Sequence, residues 1–262
     1  MVASTPVRIV SLCPSLTELI FDLGRGRDLV AITDYCVRPA IGTAGIEKVG
    51  GTKTPAVERI IALAPDLVLL NDEENCIEDA RALAQAGLSC LSTLPRNPTE
   101  TAAMVRSVGR AVERTESAEK IAREIESRAA RVADRADSHK PVRFAYVIWR
   151  KPWMTVNGDT YAHSLLALAG GINVFEQHRD RYPELSSRDL AVARPAVVFL
   201  GSEPFPFDQE HARELAQVTD LAPSCFVLAD GELLSWHGSR TAQGIDYAAR
   251  LIEEARTTSR GR

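Results

Sequence analysis

Residues 49–70 read VGGTKTPAVERIIALAPDLVLL, and residues 185–200 read LSSRDLAVARPAVVFL. Each stretch passes from apolar residues at helical spacing, Pro55 to Ala64 in the first and Ser187 to Ala193 in the second, into a short unbroken apolar run. Those runs, Leu67 to Leu70 and Ala196 to Leu200, read as strands buried on both faces, which a parallel sheet covered by helices provides. One helix-then-strand phrase in each half of the chain predicts two α/β lobes.

The rest of the chain extends the alternation. Val7 to Leu12 is a β-rich run that stops at Pro14-Ser15, and Ser15 with Glu18 three residues later predicts a capping box for a helix reaching Gly24. Leu29 to Thr33 is a second strand, Asn75 to Ala86 a helix ended by Gly87, Leu88 to Thr93 a strand, and Pro98 to Val112 a helix. From Ser117 to Asp137 there is no Gly or Pro, and Ala, Glu and Arg dominate, so one continuous helix of roughly 30 Å is expected. After His139-Lys140-Pro141 the alternation resumes, with strands at Arg143 to Trp149 and Cys225 to Leu228 and helices at Tyr161 to Ala169, Asp208 to Val218 and Ala242 to Ala255. The expected fold class is α/β: a first lobe over residues 1–115, a linking helix over 116–140 and a second lobe over 141–262. Each lobe has a parallel β-sheet flanked by helices, and one long rigid helix joins them.

Composition narrows the function classes. Of 262 residues, 45% are hydrophobic and 25% charged, as in an ordinary globular chain. A formal net charge of −4 supplies no clustered positive field for nucleic acid or an anionic membrane. The one basic stretch, Arg123 to Arg135, alternates with Glu124, Glu126 and Asp134 and reads as a solvated helix face. Five cysteines, an odd number with no CxxC pair, argue against a disulfide framework or zinc knuckle and for a reducing compartment. The opening MVASTPVRIVSLCPSLTE has no basic segment followed by an apolar core, and no run of roughly 18 apolar residues follows. A cytoplasmic protein without membrane insertion is expected; a leader trimmed from the start would make it periplasmic or otherwise extracytoplasmic.

The order RIVSLCPSLTELIFDLG (8–24), DYCVRP (34–39) and VGGTKTPAVERIIALAPDLVLL (49–70), followed by AHSLLALAGGINVF (162–175) and LSSRDLAVARPAVVFL (185–200), carries a resemblance. Over nearly the whole chain it resembles the periplasmic cobalamin- and siderophore-binding proteins, the helical-backbone metal receptors or class III solute-binding proteins. The resemblance implies a non-catalytic receptor with no required cofactor. Its partner would be a small-molecule metal chelate, foremost a corrinoid, held in the cleft between the lobes. Ligands of open α/β sheets lie outside the carboxyl ends of the strands. That rule selects Pro14, Ser15, Tyr35, Glu73, Glu74 and Asn75 in the first lobe, and Trp149, Trp153, Glu203, Phe205, Phe207, Trp236, His237 and Arg240 in the second. All three tryptophans fall in these loops although aromatics are only 6% of the chain, and flat side chains suit a large planar ligand. The alternative is that they fill the core between the lobes. Glu73 and Glu74 read equally well as acids favoured at a helix N-terminus.

Two other functions compete. A bare divalent metal would centre on His237, in LSWHGSR, or on His163, joined by carboxylates, yet residues 1–115 contain no histidine. An enzyme or metal-cluster protein on the same scaffold would need a nucleophile with its base, or thiolates. No GxSxG, HExxH, P-loop or GxGxxG is present, which leaves Cys13 and Cys36 as thiolate candidates. Transport members of the resembled class present an acid on each lobe to an ABC permease. The corresponding positions fall near Ile77-Glu78 and at Arg188-Asp189, neither a clean match, so permease docking is doubtful from the sequence.

Overall fold

The structure, a computed structural model, describes residues 7–260, and the chain divides into two compact units. Unit 1 takes the chain up to Pro95, residues Glu100–Arg123 and the tetrapeptide His237–Arg240; unit 2 takes Arg96–Thr99, Glu124–Trp236 and the chain from Thr241 onward. The opening residues 1–6, on which the leaderless reading partly rests, lie outside the described residues. Among the described residues no helix is long and apolar enough to cross a membrane.

The first elements are β1 (Ile9–Ser11), α1 (Pro14–Asp22), β2 (Leu29–Ile32), α2 (Ala40–Thr43), β3 (Glu47–Lys48), α3 (Val57–Ala62), β4 (Leu67–Asn71), α4 (Ile77–Gln85), β5 (Cys90–Thr93), α5 (Pro98–Ala111) and α6 (Thr115–Asp137). The five strands form a parallel sheet in the order β3-β2-β1-β4-β5. β1 and β4 are buried throughout because helices cover both faces of the sheet. Alternate residues Val10 and Leu12 of one strand and Val68 and Leu70 of the next pack on Ile60 and Leu83. α6 is the expected unbroken helix, and its Glu119–Arg123 and Glu124–Arg128 pairs at i,i+4 give it the solvated face read from the sequence.

The second set comprises β6 (Val142–Trp149), β7 (Trp153–Thr155), α7 (Tyr161–Leu168), β8 (Gly171–Asn173), β9 (Glu184–Leu185), α8 (Ser187–Ala193), β10 (Val197–Gly201), α9 (Gln209–Thr219), β11 (Phe226–Ala229), α10 (Gly231–Ser235) and α11 (Thr241–Arg260). The sheet order is β11-β10-β6-β7-β9, with β8 also on β6. β11, β10, β6 and β8 run parallel, whereas β7 is antiparallel to both β6 and β9. The sheet is thus parallel-rich rather than wholly parallel. Only Arg150, Lys151 and Pro152 separate β6 from β7, too few residues for a crossover, so the chain must turn back as a hairpin.

The two phrases that open the sequence argument fold alike. Each helix ends on a residue in the left-handed region just before its proline, Ala64 at φ 45° and Arg194 at φ 46°. In each case an arginine at the start of the central strand closes the turn. Arg8 Nη2 donates to Leu63 O at 2.8 Å and Arg143 Nη2 to Ala193 O at 2.7 Å. The same arginines accept at their carbonyls, from Asp66 N and Ala196 N.

The capping box at Ser15 and Glu18 does not form. Helix α1 starts two residues earlier, with Pro14 at its first position, where a missing N–H costs nothing. Cys13 is the N-cap and its side chain makes no capping bond, which leaves Ser15 and Glu18 available for other partners.

Candidate ligand-binding site

In unit 1 the carboxyl ends of β1, β3, β4 and β5 and the loops that leave them are tied together by two asparagines. Asn75 donates from Nδ2 to Leu12 O at 3.0 Å and to Thr52 O at 2.9 Å, and its Oδ1 accepts from Asn71 N at 2.8 Å. Both of its amide hydrogens are therefore engaged by backbone, and the side chain is buried. Asn71 Oδ1 accepts from Glu73 N and Glu74 N at 3.0 and 3.1 Å, while its Nδ2 donates to Thr93 O at 2.9 Å. Glu73 and Glu74 lie in the turn before α4, whose first-turn acids are instead Glu78 and Asp79, so the helix-terminus reading of the pair does not hold. Burial pushes the Glu74 carboxyl above its usual range, aided by Glu73 and opposed by Lys53. Lys53 Nζ also donates to Glu73 O at 2.5 Å. Tyr35, 62% exposed, stands over Gly51 in the same group of loops.

The tetrapeptide His237–Arg240 packs on one face of α1. His237 Nε2 is 3.3 Å from Ser15 Oγ and 3.3 Å from Asn71 Nδ2, Ser239 Oγ bonds the Asp22 carboxylate, and Arg240 forks onto Glu18. Ser15, Glu18 and Asp22 follow one another at helical spacing, so a single face of α1 takes all three contacts. Gly238, at φ 110°, holds the turn where a Cβ would stand 3.5 Å from Ser15 O. The bonds to Thr93, Glu73 and Glu74 fix the Asn71 amide with Nδ2 toward His237, and an amide nitrogen only donates. In this arrangement His237 Nε2 faces the Asn71 amide nitrogen as an acceptor.

In unit 2 the predicted aromatic residues are brought together as one array. Trp153 stacks on Phe207 at 6.0 Å with 15° between the planes, Phe207 meets Phe205 at 4.8 Å, and Phe205 meets Trp149 edge-on at 5.8 Å. His211, from the first turn of α9, closes edge-on against both phenylalanines. The Arg150 guanidinium lies 5.7 Å from the Trp153 ring centre, a cation–π contact. Trp149, 39% exposed, is the open end of the array, while Phe207 is buried in the sheet core. Trp236 stands apart and buried, its Nε1 donating to Glu203 Oε2 at 2.8 Å. Pro14, at the head of α1, completes the predicted set.

His163 sits in the first turn of α7 with Nδ1 buried and without a hydrogen bond, and burial holds its imidazole below the ordinary range. Among the described residues no group of three His, Cys, Asp or Glu side chains gathers as a metal would require. Cys13 and Cys36 are buried; Cys36 Sγ lies 3.1 Å from Thr17 Oγ1 and from Thr33 Oγ1, and burial pushes the Cys13 thiol up to about 12.

The sequence profile of the periplasmic binding protein family matches residues 9–220. The chain belongs to that family. Periplasmic binding proteins bind and do not catalyse. The vitamin B12-binding protein of Vibrio campbellii is 27% identical over 249 residues, 95% of this chain and 90% of that protein. The crystal structure of the periplasmic vitamin B12-binding protein of Vibrio cholerae is similar at a TM-score of 0.81 and 24% identity, covering 95% of this chain and 97% of that one. The apo periplasmic heme-binding protein of Roseiflexus sp. RS-1 is similar at 0.83 and 23%, covering 97% and 100%. At these identities the structural likeness speaks to the fold. Membership of a family described as periplasmic gives no support to the cytoplasmic expectation or to the doubt over permease docking.

Several site residues were missed by the sequence reading. Asn71 ends the apolar run of β4, where a polar residue at a strand's carboxyl end is the available signal. Lys53 and Thr52 sit in the loop after β3, a strand of two residues with no periodicity to reveal it. His211 and Glu214 join the array and its neighbour Arg150 through contacts that no local spacing encodes.

Proposed function

We propose that this chain is a receptor for a metal chelate, with a corrinoid the favoured ligand, and that it serves outside the cytoplasm and passes the ligand to a membrane permease. The observation that carries this reading is the aromatic array Trp149–Phe205–Phe207–Trp153 at the carboxyl ends of β6 and β10. Its open end, Trp149, offers an aromatic face to a macrocycle, and planar ligands gain from packing on such faces. Exposed Tyr35, the half-buried Glu73–Glu74 turn and Pro14 are assigned to ligand contact. Ser15, Asn75, His237 and Arg240 are assigned to holding those loops in place, and Trp236 to holding the Glu203 loop of unit 2. The vitamin B12-binding relative, aligned over 95% of the chain, favours a corrinoid. A ferric porphyrin is the second reading, favoured by the heme-binding neighbour. For the permease, the exposed carboxylates Glu78 on α4 and Asp189 on α8 offer one acid on each unit.

Equilibrium dialysis of the purified protein against cyanocobalamin, hemin and a ferric siderophore, with Zn²⁺ and Co²⁺ as bare-ion controls, tests the reading. Saturable one-to-one uptake of a chelate is expected. Uptake of a bare ion alone, or of nothing, would overturn it.

A further inference from the structure

Arg150 is held side-on by Glu214 of α9, with Nε 3.0 Å from Oε2 and Nη2 3.0 and 2.8 Å from Oε1 and Oε2. Side-on pairing uses one edge of the guanidinium. Among the described residues the other nitrogen, Nη1, takes no hydrogen bond, and it is not among the buried unpaired atoms. Oε1 accepts only one bond, so the carboxylate keeps lone pairs available. Arg150 directly follows Trp149 and rests on the Trp153 ring, so this ion pair borders the aromatic array. It presents a donor and an acceptor side by side with no net charge, next to the aromatic array, and the side chains are 23% and 40% exposed.

We propose that the Arg150–Glu214 pair is the specificity-determining edge of the ligand site and selects a chelate whose rim carries primary carboxamides over one whose rim carries carboxylates. This rests on the reading of the array as a chelate site. A primary amide matches the pair in both senses: its carbonyl accepts from Arg150 Nη1, and its N–H2 donates to Glu214. A carboxylate can use Arg150 but offers no hydrogen to Glu214, whose negative charge repels it. A corrinoid rim is rich in such amides, whereas the rim of haem ends in propionates. The paired arginine is already neutralised by Glu214, so it does not act as an anion trap.

The test measures affinity for cyanocobalamin and for hemin in wild type, Glu214→Gln, Arg150→Gln and Arg150→Lys, each checked for wild-type circular dichroism. Wild type should favour cyanocobalamin. Glu214→Gln leaves Arg150 unneutralised and should tighten hemin by about tenfold while weakening cyanocobalamin by a similar factor. Arg150→Gln should weaken both, and Arg150→Lys, which keeps the charge but loses the fork, should not restore cyanocobalamin. Unchanged relative affinities in every variant, or a wild type that favours hemin, would overturn the inference while leaving a chelate receptor intact. A wild type that binds neither chelate would overturn the underlying reading and the inference with it.

Discussion

Arg240 lies side-on against Glu18, with Nε 2.8 Å from Oε2 and Nη2 2.5 Å from Oε1. Both side chains are more than four-fifths shielded from solvent. Removing either partner leaves a poorly solvated charge, so Glu18→Ala and Arg240→Ala should each cost about 2–4 kcal/mol. The double variant should cost less than the sum of the two. Urea unfolding of the four proteins measures this, and strict additivity would show that the pair does not anchor the tetrapeptide.

The Tyr146 hydroxyl is buried against Gly201 and makes no hydrogen bond among the described residues, and burial drives its phenol well above the ordinary range. An unpaired buried hydroxyl is a cost that its removal relieves. Tyr146→Phe should therefore leave stability unchanged or raise it by about 1 kcal/mol, read as the thermal midpoint. A marked loss would reveal an internal water as its partner.

Burial lowers the affinity of His163 for a proton, against a smaller opposing effect of Glu176. The unfolded chain takes that proton near pH 6.5, its ordinary value, while the folded chain still resists it. Below about pH 6.5 the unfolded state binds more protons, so stability falls as the pH falls. His163→Gln should flatten the thermal midpoint between pH 7 and 5, measured against wild type.

Cys13, Cys36 and Cys225 are buried, whereas Cys76 and Cys90 are partly open. Burial also raises the Cys13, Cys36 and Cys90 thiols, and only the thiolate is reactive. Iodoacetamide at neutral pH should modify native Cys76 first and spare Cys13 and Cys36, as mass spectrometry of the digest would show. Early modification of Cys13 would restore it as a thiolate candidate.

The sequence made the fold legible where a run was long or its punctuation strong. The two apolar runs before Asn71 and Gly201, the Gly-free stretch of α6 and the helix ending at Gly170 lie within a residue or two of their expected bounds. β7, β8 and β9 were not legible, because strands of two or three residues carry no period and depend for pairing on β6 or, for β9, on β7. The aromatic array was legible in composition but not in arrangement. Trp149, Trp153, Phe205 and Phe207, which the strand-end rule selected, lie in one array, whereas Trp236, selected by the same rule, is buried on Glu203. Asn75, His237 and Arg240 are likewise engaged within unit 1, through contacts made far along the chain that no local pattern records.

The central claim is that the open end of the aromatic array receives a chelate. The most direct measurement uses Trp153→Phe/Trp236→Phe, which leaves Trp149 as the only tryptophan, titrated with cyanocobalamin while its fluorescence is followed. The account predicts saturable quenching of Trp149 at the stoichiometry found by dialysis, since a coloured macrocycle against the ring must drain its excited state. Binding by dialysis with Trp149 emission unchanged would place the ligand elsewhere and contradict it.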